Sequence, residues 1–308
     1  AIGAAEDDND RFPTSESYPA GTMERIEFRA GVPEQWRISA LQTPPRADRL
    51  EFFNLDDYEK TGAKLPAFRQ APMLDAEVAA GRLPPVEQRL PRREDIQVVR
   101  PRESVGRYGG SISYNATNPN SFGNIGWSAM DVHLTGLTTN WEEVFPDLAR
   151  SVELSPDSRV ATIRLRRGTR WSDGTPFTAD DILFWYKDIV SNPELPPMPA
   201  AFMVGGQRAV VAKVDEATVT FTFAAPNPGF ALTLARVDPG MPLAPMHYLK
   251  KWHKTYNPDA DAVARQEGFT SWVNAFLAHM NGQTQENQVD AKLPVLKPWM
   301  LQGIDTFG

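Results

Sequence analysis

The sequence predicts a mixed α/β (α+β) fold, and three observations within residues 145–192 carry that prediction. Apolar and polar residues alternate along two short runs, a turn containing Pro joins them, and a capped stretch with helical periodicity follows. In the first run Val152 and Leu154 alternate with polar neighbours. Ser155-Pro156-Asp157-Ser158 puts Pro at the second turn position, where its fixed φ suits a β-turn, so a hairpin is expected. The return run sets Ala161, Ile163 and Leu165 on one face and Thr162, Arg164 and Arg166 on the other. That is the two-residue period of a sheet with one side in water.

The chain then turns at Trp171-Ser172-Asp173-Gly174, because Asp bonds the backbone just ahead of it and Gly accepts a positive φ. Pro176 continues the chain extended. Thr178 stands at an N-cap with Asp181 three residues on, a capping-box variant, and Phe177 and Ile182 take the two staple positions. Ile182, Trp185, Tyr186 and Ile189 recur at i, i+3, i+4 and i+7, so one apolar stripe faces the sheet. Asn192-Pro193 ends the helix. Turn and cap duties make Asp173, Asp180 and Asp181 structural, and Trp171 and Trp185 belong to the core.

A second hairpin is expected where residues 210–214 meet 219–223 across Asp215-Glu216, with Val219, Phe221 and Phe223 sharing a face. Helical patterns follow around 230–234, near 259–266, and over 271–280 behind a Thr270 cap. Upstream, 111–116 reads as a strand and 118–126 as a Gly/Asn/Ser loop. Residues 1–17 are polar and acidic, and from there to Arg100 loops dominate, with one helix from Pro72 at N1 to Gly81 at C′. The 27 prolines crowd into 84–101 and 193–199, which calls for extended connections there.

Composition narrows the function classes. A chain of 308 residues with 41% hydrophobic content can bury a sound core and has the size of about two domains. A net charge of −7 argues against a broad phosphate-binding surface, so no nucleic-acid partner is expected. The absence of cysteine excludes disulfides, thiolate metal sites and a lipid-modified Cys in this sequence. No apolar run reaches the roughly 18 residues of a membrane helix.

His133, His247, His253 and His279 are scattered without metal-ligand spacing. Glu142-Glu143 and Asp56-Asp57 are adjacent carboxylates that point apart, so they make no acid/base pair. Neither a Gly-x-Ser-x-Gly element nor a phosphate loop occurs. No catalytic residue, metal or cofactor is therefore assigned. Arg164, Arg166, Arg167 and Arg170 form the most basic cluster, read as a solvated strand face with docking to an anionic partner as the alternative.

Three motifs in fixed order carry a resemblance: Pro146-Asp147-Leu148-Ala149, Ile163-Arg164-Leu165-Arg166-Arg167-Gly168, and Trp171-Ser172-Asp173-Gly174-Thr175-Pro176-Phe177-Thr178-Ala179-Asp180-Asp181. Together they resemble the signature region of the family 5 extracellular solute-binding proteins, the receptors of peptide-type ABC importers. Looser likeness continues at Gly106-Arg107-Tyr108-Gly109-Gly110, Pro245-Met246-His247-Tyr248-Leu249 and Leu296-Lys297-Pro298-Trp299. Ala71-Pro72-Met73-Leu74 through Gly81-Arg82-Leu83-Pro84-Pro85 looks like the N-terminal extension of one branch.

The resemblance implies a periplasmic binding protein-like type II fold. Residues 105–145 plus 240–308 would form the main subdomain of the first lobe, and 146–239 an inserted antiparallel sheet-plus-helix subdomain. Residues 1–104 would be an N-terminal extension, largely irregular, with a helix near 72–80. Family members continue beyond Trp299 into a second lobe, so that lobe is expected to be absent here, the chain being a fragment or another chain supplying the rest.

The resemblance also implies export to the periplasm with a signal peptide removed, a peptide or oligosaccharide solute, and an ABC permease in the membrane as partner. Such a receptor orients its solute with polar groups and covers it with flat aromatic faces, without a reactive centre. Asn115, Thr117, Phe122, Asn124 and Trp127 lie in the Gly-rich loop that commonly lines the family's cleft, and Trp141 follows. Packing of the lobe is the alternative role for the three aromatics. Two other classes stay open: a hydrolase acting on such oligomers, and an interaction module using residues 18–100.

Overall fold

The computed structural model describes residues 51–100, 104–109, 132–137, 143–196, 202–235, 243–280 and 290–297. The chain divides into two compact units, residues 1–48 and 49–308, and every described residue belongs to the second.

Strands β1 (Glu51–Asn54) and β2 (Gln97–Arg100) pair antiparallel, with Asn54 opposite Gln97. Between them run α1 (Leu55–Lys60), a 3-10 turn (Pro72–Leu74) leading into α2 (Asp75–Ala79), α3 (Val86–Arg89) and a second 3-10 turn (Arg93–Asp95). Pro72 opens its turn, as the sequence predicts, and Gly81 follows the C-cap at φ 68°, a left-handed conformation that favours glycine. The expectation of a largely irregular segment is corrected for residues 51–100. Ladder pairing brings Leu55, Ile96 and Val98 together as a small core, with Phe53, Tyr58, Leu65 and Phe68 packed on it.

A three-residue ladder follows, β3 (Thr135–Leu137) with β4 (Val144–Pro146). Next come β5 (Ala149–Leu154) and β6 (Val160–Leu165), the predicted first hairpin. Its turn carries a Ser158 N–H to Ser155 carbonyl bond of 2.8 Å, and Ser158 itself adopts φ 55°. Ala161, Ile163 and Leu165 are buried as the alternation requires.

The turn at Trp171-Ser172-Asp173-Gly174 forms with Gly174 at φ 89°. Helix α4 (Ala179–Phe184) then begins behind a complete capping box: Thr178 caps its first turn, and Asp181 accepts the Thr178 N–H at 3.0 Å. From Trp185 to Val190 the helix widens into a π-helix, which departs from the expected uniform α period. Phe184, Trp185, Tyr186, Ile189 and Val190 are all buried. A wider turn brings more consecutive large side chains to the inner side than the 3.6-residue stripe does.

A short hairpin, β7 (Met203–Val204) with β8 (Gln207–Arg208), turns through Gly205 and Gly206. The second predicted hairpin is β9 (Val210–Asp215) with β10 (Thr218–Thr222), bulged between Thr218 and Val219. Strand β10 pairs with β6, Val219 opposite Ile163 and Phe221 opposite Ala161, giving an antiparallel four-stranded sheet in the order β5-β6-β10-β9. Its inner face packs on α4 and on α5 (Phe230–Thr233), with Phe202, Phe221, Phe223 and Phe230 in edge and tilted ring contacts. Burying one such ring contributes about 1.5–3 kcal/mol.

Helices α6 (Met246–Leu249), α7 (Ala260–Gln266) and α8 (Trp272–Met280) complete the described elements. The cap of α8 is corrected by one residue. The Ser271 hydroxyl accepts the Asn274 N–H at 3.3 Å, whereas the Thr270 hydroxyl accepts only the Asn274 side-chain amide. The strand expected at 111–116 and the loop at 118–126 lie outside the described residues. No described helix is long and apolar enough to cross a membrane.

Candidate functional site

The six residues that the sequence nominates for solute contact, Asn115, Thr117, Phe122, Asn124, Trp127 and Trp141, lie outside the described residues. The structure does describe the framework that brackets them in the chain. The Thr135 hydroxyl of β3 donates to the Ala231 carbonyl of α5 at 2.7 Å. At the far end of β4, Gln97 Nε2 donates to the Pro146 carbonyl at 2.7 Å. Just beyond, the Asp147 carboxylate accepts the His133 N–H at 3.2 Å. Burial pushes the Asp147 carboxyl above the usual carboxylate range despite that bond.

The arginine cluster does not form one solvated face, which corrects the sequence reading. Arg166 is 4% exposed. Its guanidinium donates to three main-chain carbonyls, those of Asp147 (2.6 Å), Asp95 (3.0 Å) and Pro146 (3.4 Å). Burial pulls its pKa down to about 10, which leaves it charged at neutral pH. Arg164 is exposed and paired with Glu153, and Arg170 is exposed and donates to the Gly174 carbonyl at 2.8 Å. Arg167 is exposed, and its carbonyl accepts the Arg92 N–H at 3.0 Å.

The signature turn holds two segments together. Asp173 plays its predicted turn role, accepting the Thr175 N–H at 3.0 Å, and its second oxygen lies 2.8 Å from His247 Nε2. Asp181 is buried and accepts from Thr178 N–H, from Trp171 Nε1 at 3.3 Å and from Met246 N–H at 3.1 Å. Ser172 exchanges two bonds with Val295: its N–H donates to the Val295 carbonyl at 2.9 Å and its hydroxyl accepts the Val295 N–H at 3.0 Å. The long-range halves of these bonds have no sequence signal, because a cap or turn residue spends only part of its hydrogen-bonding capacity locally.

One polar cluster escaped the sequence reading. His279 on α8 places Nδ1 2.5 Å from Asp290 and Nε2 3.0 Å from Glu267, while its ring stacks on Trp252 at 3.6 Å. Tyr248 donates to Asp290 at 2.7 Å, Trp252 Nε1 donates to Glu267 at 2.7 Å, and Lys251 pairs with Glu267 at 3.0 Å. Burial and the Asp290 carboxylate push the Tyr248 hydroxyl up. Both imidazole nitrogens face carboxylates, so neither is turned toward a nucleophile.

His253 is fully buried among Phe184, Trp272 and Phe276. Its Nε2 donates to the Asp188 carbonyl at 2.9 Å and its Nδ1 accepts the Thr255 N–H at 3.3 Å. Asp56 and Asp57 are spent on Arg150 and Lys60. Among the described residues no group of three His, Cys, Asp or Glu side chains is placed to hold a metal ion. The described polar clusters cross-link segments of the fold.

Comparison with known proteins places this framework. Residues 143–270 match the bacterial extracellular solute-binding proteins, family 5, middle region. Among curated relatives, the periplasmic alpha-galactoside-binding protein of Rhizobium meliloti (strain 1021) is 30% identical over 203 residues, covering 58% of this chain and 28% of that protein. Among solved structures, the oligopeptide-binding protein OppA superposes with a TM-score of 0.70 at 32% identity, covering 82% of this chain and 38% of that one. The periplasmic binding protein MelB of Agrobacterium fabrum C58, in complex with stachyose, superposes with a TM-score of 0.55 at 28% identity, covering 73% and 35%. The chain thus spans well under half the length of these relatives. All three are named as binding proteins. Three motifs in order, the hairpin and capped helix they build, and the family match agree: residues 143–270 of this chain are similar to the family 5 bacterial extracellular solute-binding proteins over their middle region.

Proposed function

We propose that the chain contributes the first lobe of an exported, periplasmic receptor that captures a peptide or similar oligomeric solute and presents it to an ABC permease. The observation that carries this reading is the four-stranded sheet backed by a capped helix, tied by Asp181 and Ser172 to the 243–297 segments and superposing on OppA. In this reading 105–145 plus 240–308 make the main subdomain, 146–239 the inserted one and 1–104 the extension. A second lobe closes over the solute, and Asn115, Thr117, Phe122, Asn124, Trp127 and Trp141 contact it. No bond is broken. Closure is driven by the solute's greater affinity for the closed state, since a ligand shifts an equilibrium only by its differential affinity.

A second reading, an oligosaccharide receptor, is favoured by the alpha-galactoside-binding relative and by MelB with its stachyose. Stacking on flat aromatic faces suits a sugar ring as well as a peptide side chain. Thermal unfolding of a receptor carrying both lobes, with tetra-alanine or with stachyose, separates the two. The recognised class stabilises by about 2.7 kcal/mol at a hundredfold excess over Kd. Hydrolysis of either compound, abolished by replacing one or two carboxylates, would replace the receptor reading with the hydrolase.

A further inference from the structure

We propose that His279 is a proton-operated latch in the fold. With both ring nitrogens protonated it ties the end of α7 and the 290–297 segment to α8, and loss of one proton releases the α7 arm.

His279 Nδ1 lies 2.5 Å from Asp290 Oδ2, and Nε2 lies 3.0 Å from Glu267 Oε2. A neutral imidazole has one N–H and one lone pair, whereas an ionised carboxylate only accepts. Both arms are therefore bonded at once only by an imidazolium. Neither carboxyl supplies the missing proton, because their bonds hold both below their ordinary values. The shorter contact keeps the last proton, so deprotonation leaves the Nε2 lone pair against Glu267.

Each segment packed on the ring brings a group to it. Tyr248 of α6 donates to Asp290 Oδ2 at 2.7 Å, and the Lys292 N–H donates to Asp290 Oδ1 at 3.0 Å. Beyond α6, Trp252 Nε1 donates to Glu267 Oε2 at 2.7 Å and the Lys251 ammonium pairs with Glu267 Oε1 at 3.0 Å. Glu267 thus keeps two donors when His279 lets go, and no carboxylate is stranded. The Trp252 ring lies 3.6 Å from the imidazole at an interplanar angle of 20°, and an aromatic face attracts the charged ring more than the neutral one. The His279 side chain is 19% exposed, which gives water access to take up the released proton.

The two arms differ in what they hold. The 290–297 segment is anchored a second time, since Leu293 and Val295 enter the core and Ser172 bonds Val295 in both directions. Glu267 ends α7, and Gly268 beside it takes φ 89° to turn the chain toward α8. Release of Nε2 therefore loosens the α7–α8 junction and the last turn of α8. The tie is present while the ring carries both protons and is lost as pH rises through the ring's own titration.

The test uses the full chain. Imidazole ¹⁵N shifts, assigned with His279→Gln, report the ring's protons from about pH 5 to about pH 9. Hydrogen exchange over residues 264–280, corrected for the intrinsic effect of pH, follows the junction. As the ring loses its second proton, amides of 267–269 and 276–280 should exchange about tenfold faster, while those of β6 and β10 keep their protection. Glu267→Gln should abolish this response, because an amide turns either its oxygen or its N–H₂ toward Nε2.

Unchanged protection through the ring's titration overturns the latch, and so does a ring that does not titrate in this range. An equal response in Glu267→Gln assigns the loosening to another group and overturns the role of His279. Both parent measurements decide the matter if that variant does not fold.

Discussion

The Arg166 guanidinium donates from Nη1 to the main-chain carbonyl of Asp95 at 3.0 Å, across 71 residues of sequence. Its other nitrogens hold the Asp147 and Pro146 carbonyls, so one buried cation joins the end of the second 3-10 turn to the corner between β4 and β5. The neighbouring Asp147 and Asp95 carboxylates balance its charge. Arg166→Met keeps much of the volume but removes the donor from the Asp147 and Asp95 carbonyls, leaves the Pro146 carbonyl to Gln97 alone, and takes the nearby cation from the Asp147 carboxylate while Asp95 keeps Arg150. The expected loss is about 3–5 kcal/mol, read from urea unfolding midpoints. Arg166→Lys should recover little, because an ammonium cannot reproduce the planar fork. A loss under about 1 kcal/mol for the Met variant would show that these bonds carry no weight.

Asp181 is a second joint, and its partners are all donors: Thr178 N–H, Trp171 Nε1 and Met246 N–H. Asp181→Asn presents an amide N–H₂ to at least one of them, donor against donor. Stability should fall by about 2–3 kcal/mol, more than the roughly 1 kcal/mol expected of Thr178→Ala, which removes only the local cap. Equal losses in the two variants would reduce Asp181 to its capping role. Guanidinium unfolding followed by tryptophan fluorescence suits the comparison, since Trp171 contacts the altered side chain.

His253 supplies a pH dependence. Burial among aromatic rings holds its pKa below the ordinary 6.5, more than the Asp188 carbonyl can offset. A depressed base binds its proton more readily when unfolded, so its share of stability is full above about pH 6.5 and is lost as pH falls toward the folded value. In His253→Phe that share is absent. The stability gap between parent and variant should therefore be widest near pH 7.5 and narrow by pH 5; a constant gap would mean that the ring does not titrate on unfolding.

Glu267 and Asp290 act in a lower window. Burial works to raise both carboxyls, but bonds from His279, with Lys251 at Glu267 and Tyr248 at Asp290, outweigh it and hold both below their ordinary values of 4.5 and 3.8. Depressed acids contribute stability that is complete above those values and is lost as pH drops through the folded ones. Acid unfolding of the parent should steepen below about pH 4. His279→Ala should be less stable at pH 6 and should lose less on going from pH 5 to pH 3. An identical acid limb in the two chains would contradict the hold of His279 on both carboxylates.

Local order was legible because its causes are contiguous in the chain. Alternation at Ala161, Ile163 and Leu165 fixes which face of β6 is buried, whatever packs on it. Thr178 and Asp181 sit three residues apart and cap the helix with their own side chains. Gly174 and Gly81 adopt the positive φ that their positions demanded.

What the tertiary structure alone decided are relations between distant residues. Arg166 reads as a surface residue because strand period says nothing about the segment that covers its face, and only docking of residues 92–97 buries it. The π-helix from Trp185 to Val190 answers the shape of the aromatic core, which the 3.6-residue pattern does not contain. Asp181 with Met246 and Ser172 with Val295 meet across 65 and 123 residues. Periodicity, caps and turns are set by energies acting within a few residues, and so they are written in the sequence. Which buried polar group meets which is set when the whole chain excludes water and each donor and acceptor must find a partner.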